Sequence, residues 1–320
     1  MFTLFDSKLN FQMYQSYTQN SINSAWLHPV ANFKRIRIKR IERLLIFVIL
    51  HFSSLIACSG TIHNFNVLAF YTAKNDAAHI SFVNEANTWF AGMAGEYGFT
   101  YRATDNWELL NEETLSAYQV VIFLDTRTED PMQRIAFENY MKNGGAWMGF
   151  HFSAFTLTSS DFPNDWEWYH NRFLGCGEYV SNTWRPTSAT LRVEDSNHPA
   201  TSRLPSTIKS SPNEWYRWEK DLRNNPDIDI LLSIDTVSFP LGTGPKPNEI
   251  WHSGYYPVVW TNHKYRMIYI NMGHNDIDYE NKTNKELSHT FINSDQNTLI
   301  LDALLWLGGK KQTPVSSGEL

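Results

Sequence analysis

The chain is poor in cysteine: Cys58 and Cys176 are the only two in 320 residues. With Cys58 assigned to the N-terminal signal described below, no disulfide framework is possible in the body of the chain, and the fold must rest on its buried core. An excess of one charge is missing as well. Lys and Arg number 27 against 33 Asp and Glu, a net charge of -6. The body carries no long run of like charges, so nucleic acid is not expected as a partner. No GxGxxG follows an apolar strand and no GxxxxGK[ST] occurs, which removes dinucleotide and P-loop chemistry and leaves no cofactor to expect. HExxH is absent too, and no paired-histidine spacing replaces it, so no metal is expected. Neither an internal repeat nor a low-complexity tract interrupts the sequence, and its apolar runs fall short of the roughly 20 residues that cross a bilayer.

Aromatic residues are abundant instead. The 12 Trp, 15 Tyr and 20 Phe make up 15% of the chain. Their flat faces suit sugars, although most aromatic residues pack into cores; Trp166, Trp168 and Trp184 are open to both readings. Near the N-terminus a basic stretch from Arg35 to Arg43 precedes the apolar run Leu44 to Phe52 and then Leu55-Ile56-Ala57-Cys58. That order is the order of a secretory signal. "LIAC" resembles the bacterial lipobox, whose cysteine becomes the lipidated first residue. The expectation is a signal region 1–57 removed on maturation, a lipid-anchored tether 58–65 on Cys58, one domain over 66–310 and a loose tail 311–320, all held at the bacterial cell envelope. The chain ahead of the basic stretch is longer than a signal needs, which a misassigned start would explain. The competing reading is a buried apolar N-terminal helix with an incidental cysteine.

Past the tether, Asn66 to Tyr71 is an apolar run of strand length. Phe82, Ala86, Trp89, Phe90, Met93 and Tyr97 follow at helical spacing and stop at Gly98. Gln119 to Asp125 is a second buried strand. Asp130 as N-cap and Pro131 at the first helical position open another helix, with Met132, Ile135, Phe137 and Tyr140 as its expected stripe. "GGAWMGFHFSAF", Gly144 to Phe155, is the third strand, and it ends at His151. Alternation of strands and helices at these spacings predicts an α/β fold: a doubly wound, mostly parallel sheet with helices on both faces. From Thr156 to about Ser210 the pattern becomes irregular. Tyr256 to Thr261 and Tyr265 to Asn271 then form a late β-hairpin, and Asp295 to Leu307 a closing helix. Ligands of doubly wound sheets lie beyond the strand carboxyl ends, which selects Asp125 and His151. His79, after the first strand, is placed to reach the same pocket.

"GGAWMGFHFSA", "NHPATSRLP", "NEWYRWE", "PVVWTNHKYRMIYINMGH" and "LILDALLWLGG" occur in the order and approximate spacing of the ThuA-like (trehalose utilisation) family, which the chain resembles from Asn66 to about Lys310. The resemblance implies a class I glutamine amidotransferase-like, flavodoxin-type fold. True amidotransferases hold a nucleophilic cysteine on a strained elbow after the corresponding strand. His151 stands there instead, and no elbow pattern surrounds Cys176, so glutamine hydrolysis is not expected. The resemblance puts His274 where that fold has its catalytic histidine, and Asp276 in the place of the carboxylate that orients it. It also puts Glu214 and Tyr216 in the family's Asp-Glu-x-Tyr motif, with Asn213 in place of Asp.

His151, Glu214 and His274 are therefore the candidate catalytic groups, one histidine accepting a proton and Glu214 donating one or binding a hydroxyl. Asp125, Tyr216, Asp276 and His79 are candidate substrate contacts. Each has a plain structural reading beside this one: a strand-end imidazole bonded to a backbone carbonyl, a surface ion pair, a local cap. His198-Pro199 reads as a turn. A two-histidine, one-carboxylate metal site from His151, His274 and Glu214 lacks the spacing to support it. The expected function is carbohydrate metabolism in the cell envelope, binding or transforming a sugar or an oxidised sugar derivative. The alternatives are a non-catalytic carbohydrate-binding or scaffold lipoprotein, and an amide hydrolase that would need a reactive Cys176.

Overall fold

In the computed structural model of the protein, residues 64–183, 185–238 and 254–309 are described. The expected signal region 1–57, Cys58 and the tether up to residue 63, Trp184 and the tail 311–320 lie outside the described residues. No helix among the described residues is long and apolar enough to cross a membrane.

The chain runs through β1 (Asn66–Phe70), α1 (Ala77–Tyr97), β2 (Thr100–Thr104), the single turn α2 (Glu112–Leu115), β3 (Val120–Phe123), α3 (Pro131–Lys142) and β4 (Ala146–Phe150). Next come β5 (Tyr179–Asn182), β6 (Thr190–Val193), β7 (Thr207–Lys209), β8 (Tyr216–Trp218), β9 (Ile228–Ile234), β10 (Pro257–Asn262), β11 (Tyr265–Ile270) and α4 (Ser294–Gly308). Nine strands form one sheet in the order β2-β1-β3-β4-β11-β10-β9-β6-β7, and β5 pairs with β8 apart from it. Every pairing from β2 to β11 is parallel. From β11 outward every pairing is antiparallel, because the β10–β11 hairpin reverses the chain. The order 2-1-3-4 continued by a late strand is the flavodoxin-like doubly wound order. The expected fold class is the observed one.

Successive residues of the central strands feed two separate cores. Val67, Ala69, Val120, Ile122, Met148 and Phe150 pack with Phe82 and Phe90 of α1 and Leu304 of α4. Leu68, Phe70, Val121, Phe123 and Trp147 pack with Phe137 and Met141 of α3 on the other face. A strand covered on both sides must be apolar in both registers, which is why these segments read as unbroken apolar runs.

The caps are where the sequence puts them. Asp130 accepts from the backbone N–H groups of Met132 and Gln133 with Pro131 at the first turn, and Gly98 closes α1 at φ 74°. The stripe expected on α3 is corrected. Met132 and Ile135 are 71% and 51% exposed, and the covered residues are Arg134, Ala136, Phe137 and Met141. Positions 134, 137 and 141 share one helical face, whereas 132, 135, 137 and 140 do not. The charge of Arg134 conceals that face in the sequence. Its guanidinium donates to the Thr128 carbonyl and to Glu129 and lies over the Trp166 ring.

The irregular segment contains a π-helical turn, Trp168–Phe173, and the short strands β5, β6 and β7. Trp166 is buried in the second core and Trp168 packs against it, so both serve the core reading.

Candidate functional site

β4 ends at Phe150, and His151 opens a 3-10 turn with φ 40°, a conformation that costs a residue with a Cβ about 1–3 kcal/mol. Small neighbours make room for the turn. A Cβ on Gly149 would come within 2.7 Å of the Ser153 hydroxyl and 2.0 Å of the Trp147 ring. A Cβ on Gly273, whose φ is 145°, would come within 2.8 Å of the His151 Cβ. A strained residue on a sharp strand-to-helix turn, with glycine two positions earlier, has the geometry of a nucleophile elbow. Here the elbow presents an imidazole.

The ring is fixed from several sides. His151 Nδ1 lies 3.2 Å from the backbone carbonyl of Asn271, just past β11. A carbonyl only accepts, so Nδ1 carries the hydrogen and Nε2 is left as a lone pair. That lone pair stands 3.4 Å from Glu214 Oε2. The Tyr216 ring lies against the imidazole, with centroids 4.1 Å apart. Asn271 also accepts from the Tyr216 N–H at 3.0 Å and donates to the Tyr269 hydroxyl at 2.9 Å, while that hydroxyl donates to the His151 carbonyl at 2.9 Å. Asn271 is thus the hub that ties the elbow to the Glu214–Tyr216 segment. Asn213, the residue that departs from the family motif, accepts from the Gly273 N–H at 3.2 Å.

His274 follows β11 and faces two carboxylates, with Nε2 3.9 Å from Glu214 and 3.9 Å from Asp76. His79, in the first turn of α1, completes a triangle of imidazoles. Ring centroids are 5.0 Å apart for His79 and His274, and 5.4 Å for each of the other two pairs. Burial holds all three neutral at pH 7. Loss of hydration, reinforced for His79 and His274 by the neighbouring rings, lowers their pKa values: to about 4 for His79, about 3 for His151 and about 3 for His274. His151 and His274 are 0% and 2% exposed. The cluster meets solvent at Asp76, whose side chain is 43% exposed.

The structure therefore brings together His151, Glu214, His274, Tyr216 and His79, five of the seven candidates. Asp125 has another job. Its carboxylate accepts from the Thr72 N–H at 2.8 Å, the Thr72 hydroxyl at 3.0 Å and the Ala73 N–H at 2.6 Å, clamping the β1–α1 loop. Asp276 does not orient His274. Its carboxylate is directed to Arg185, 3.7 Å away, and the carboxylates that face His274 are Glu214 and Asp76. Asp76 is the residue the sequence reading passed over. The signal for it is the Asp-x-x-His spacing of Asp76 and His79, which puts both on one face of a first helical turn. Each of Asp76, His79 and His274 offers a donor atom within 4.8 Å of the other two, and among the described residues this is the group placed to hold a metal. Cys176 is fully buried and burial pushes its thiol pKa up, the reverse of an activated nucleophile. His198 caps a turn, its Nδ1 accepting from the Ala200 N–H at 3.1 Å.

A flavodoxin-like sheet with a strained histidine on the β4 elbow and a second histidine after β11 defines an amidotransferase-like α/β protein without the amidotransferase nucleophile. The chain belongs to the ThuA, trehalose utilisation, family, whose model matches residues 66–291. It is similar to the solved structure of a protein described as ThuA-like from Bacteroides uniformis: 34% identity, TM-score 0.66, covering 78% of this chain and 93% of that one. A second, described as ThuA-like from Parabacteroides merdae, is 18% identical with TM-score 0.51 over 79% of this chain and 94% of that one, and speaks to the fold. No curated protein matches the sequence. Family membership suggests a carbohydrate-related role.

Proposed function

We propose that the protein binds and transforms a sugar or an oxidised sugar derivative at the carboxyl end of its parallel strands, with His151 and Glu214 as the proton-handling pair. The observation that carries this reading is the contact of His151 Nε2 with Glu214 Oε2 at 3.4 Å. With Nδ1–H committed to Asn271, two acceptor atoms face each other, an arrangement that holds a proton between them and passes it to or from a hydroxyl. His274 stands next to the same Glu214 oxygen. A sugar meets this cluster from its solvent edge at Asp76, and the buried Tyr216 ring backs His151 from behind.

A binding module without turnover is the second reading. The depth of His151, with no exposed surface in this conformation, favours it. One experiment separates the two: calorimetry and product analysis with ordinary and oxidised disaccharides on the wild type, His151→Asn and Glu214→Gln. Turnover abolished by either variant, with binding weakened less than tenfold, supports catalysis. Binding without turnover in the wild type supports the module, and neither binding nor turnover removes both.

We place the protein at the bacterial cell envelope through a lipid on Cys58, on the strength of the basic, apolar and "LIAC" order before it. Palmitate labelling of cells expressing the full chain, absent in Cys58→Ser, is the expected result. Equal labelling of the two would refute it.

A further inference from the structure

We propose that Asp76, His79 and His274 form a binding site for one divalent transition-metal cation, beside the His151–Glu214 pair and additional to it. The donor atoms are already gathered, all lying within 4.8 Å of one another. In a tetrahedral or octahedral site with bonds of about 2.1 Å, adjacent ligand atoms stand about 3.0–3.4 Å apart. His274 Nε2 and Asp76 Oδ2, 3.9 Å apart, need to close by less than 1 Å on average. The donors are poised for an ion and too close together for a larger guest.

Three further observations point to a cation. The buried His79 Nε2 has no hydrogen-bond partner, and its ring meets His274 edge-on at 87°. A buried ring nitrogen left unsatisfied costs free energy, and in the tautomer that leaves it a lone pair an ion supplies the missing partner. Second, Asp76 is oriented as metal-binding carboxylates are. Its Oδ1 accepts from the Ala78 N–H at 2.9 Å and from the Tyr279 hydroxyl at 2.7 Å, which leaves Oδ2 on the side of His274. Third, acceptors converge on the space: Glu214 Oε2 lies 3.9 Å from the same His274 nitrogen. The amino end of α1 opposes a cation, but the carboxylates of Asp76 and Glu214 oppose that dipole. Imidazole with one carboxylate selects zinc, iron, cobalt or nickel over magnesium and calcium. An ion held there has the chemistry to polarise a carbonyl or hydroxyl oxygen of a ligand arriving at the Asp76 edge.

The test uses the full-length protein stripped with chelator and titrated with Co2+. The expected result is one equivalent bound with a visible ligand-field absorption band, no competition from a large excess of Mg2+, and displacement by Zn2+. Asp76→Asn keeps a helix cap while removing the charge, and His79→Gln keeps a polar side chain. Each is expected to weaken Co2+ at least tenfold with the melting temperature of the stripped protein unchanged. X-ray absorption on zinc-loaded wild type needs no variant to fold and is expected to show two imidazoles bound to the ion. Absence of the band, substoichiometric uptake, unchanged affinity in both variants, or fewer than two imidazoles would overturn the proposal. The readout is the ion itself, so the result is independent of whether any sugar binds.

Discussion

Gly273→Ala is the most searching single test of how the site is built. The substitution adds one methyl group where β11 hands over to His274. Gly273 has φ 145°, which a residue with a Cβ adopts at a cost of about 1–3 kcal/mol. The new Cβ would stand 2.8 Å from the His151 Cβ and 3.4 Å from the Phe150 Cβ. Ordinary carbon contacts lie at about 3.5–4.0 Å, so something must move by roughly an ångström. His151 resists movement because its ring is bonded to the Asn271 carbonyl and packed, tilted, against Tyr216. Gly273 resists it as well, since its N–H donates to Asn213. Forced overpacking of this kind costs about 1–3 kcal/mol, for a total of about 2–6 kcal/mol. Guanidinium unfolding followed by tryptophan fluorescence reads the loss directly. An accompanying fall in Co2+ affinity would show that the displacement reaches His274. A loss below about 1 kcal/mol with Co2+ binding unchanged would refute both the close approach and the argument that glycine is required there.

Asn271→Ala leaves the Tyr216 N–H buried without its acceptor and takes a donor from Tyr269, so a loss of about 2–4 kcal/mol is expected by denaturant titration; a loss under about 1 kcal/mol would remove Asn271 as the hub. Asp125→Ala is expected to destabilise by about 2–3 kcal/mol while Co2+ binding persists, and selective loss of ligand binding in a protein of unchanged stability would restore Asp125 to the site. His170 is fully buried with neither ring nitrogen hydrogen-bonded, and desolvation first, then Arg127 and Arg134, drives its pKa well below the usual histidine value. The unfolded chain therefore takes up a proton below about pH 6.5 that the folded chain refuses, and stability falls as the pH drops; His170→Phe should flatten that fall by about 1 kcal/mol per pH unit between pH 6 and 5, and parallel curves would contradict it. In a Cys58→Ser background, Cys176 should resist a disulfide reagent at pH 8 until denaturant is added, and fast labelling of the native protein would reopen the thiol chemistry.

The parallel half of the sheet was legible in the sequence because strands buried on both faces advertise themselves as apolar runs bounded by caps and glycines. β2 was not, since Thr100–Thr104 is an edge strand with no buried residue and no apolar pattern. The far edge was hidden for a different reason: β6 and β7 have four and three residues, too few to establish a period. Of the site, His151, Glu214 and His274 were visible through strand ends and family motifs. Asp76 was masked by its second role as a helix cap. The family resemblance sets Asp276 in the place of the carboxylate that orients His274; in space its carboxylate lies toward Arg185, and Glu214 and Asp76 face that imidazole.

The parallel pairing of β11 with β4 has a consequence for how the protein is made. Arg266 aligns with Ala146 and Ile270 with Phe150, strands joined only through the long intervening chain. Closing so large a loop comes late and slowly in folding, because the entropy is lost before the contacts are gained. His274 and the carbonyl of Asn271 arrive with that strand, while His79 and His151 belong to the half that can assemble earlier. The half that assembles first then holds two of the three histidines of the cluster and waits for the third. Uptake of a coloured ion would then act as a clock for the last folding step, appearing only when the two halves meet.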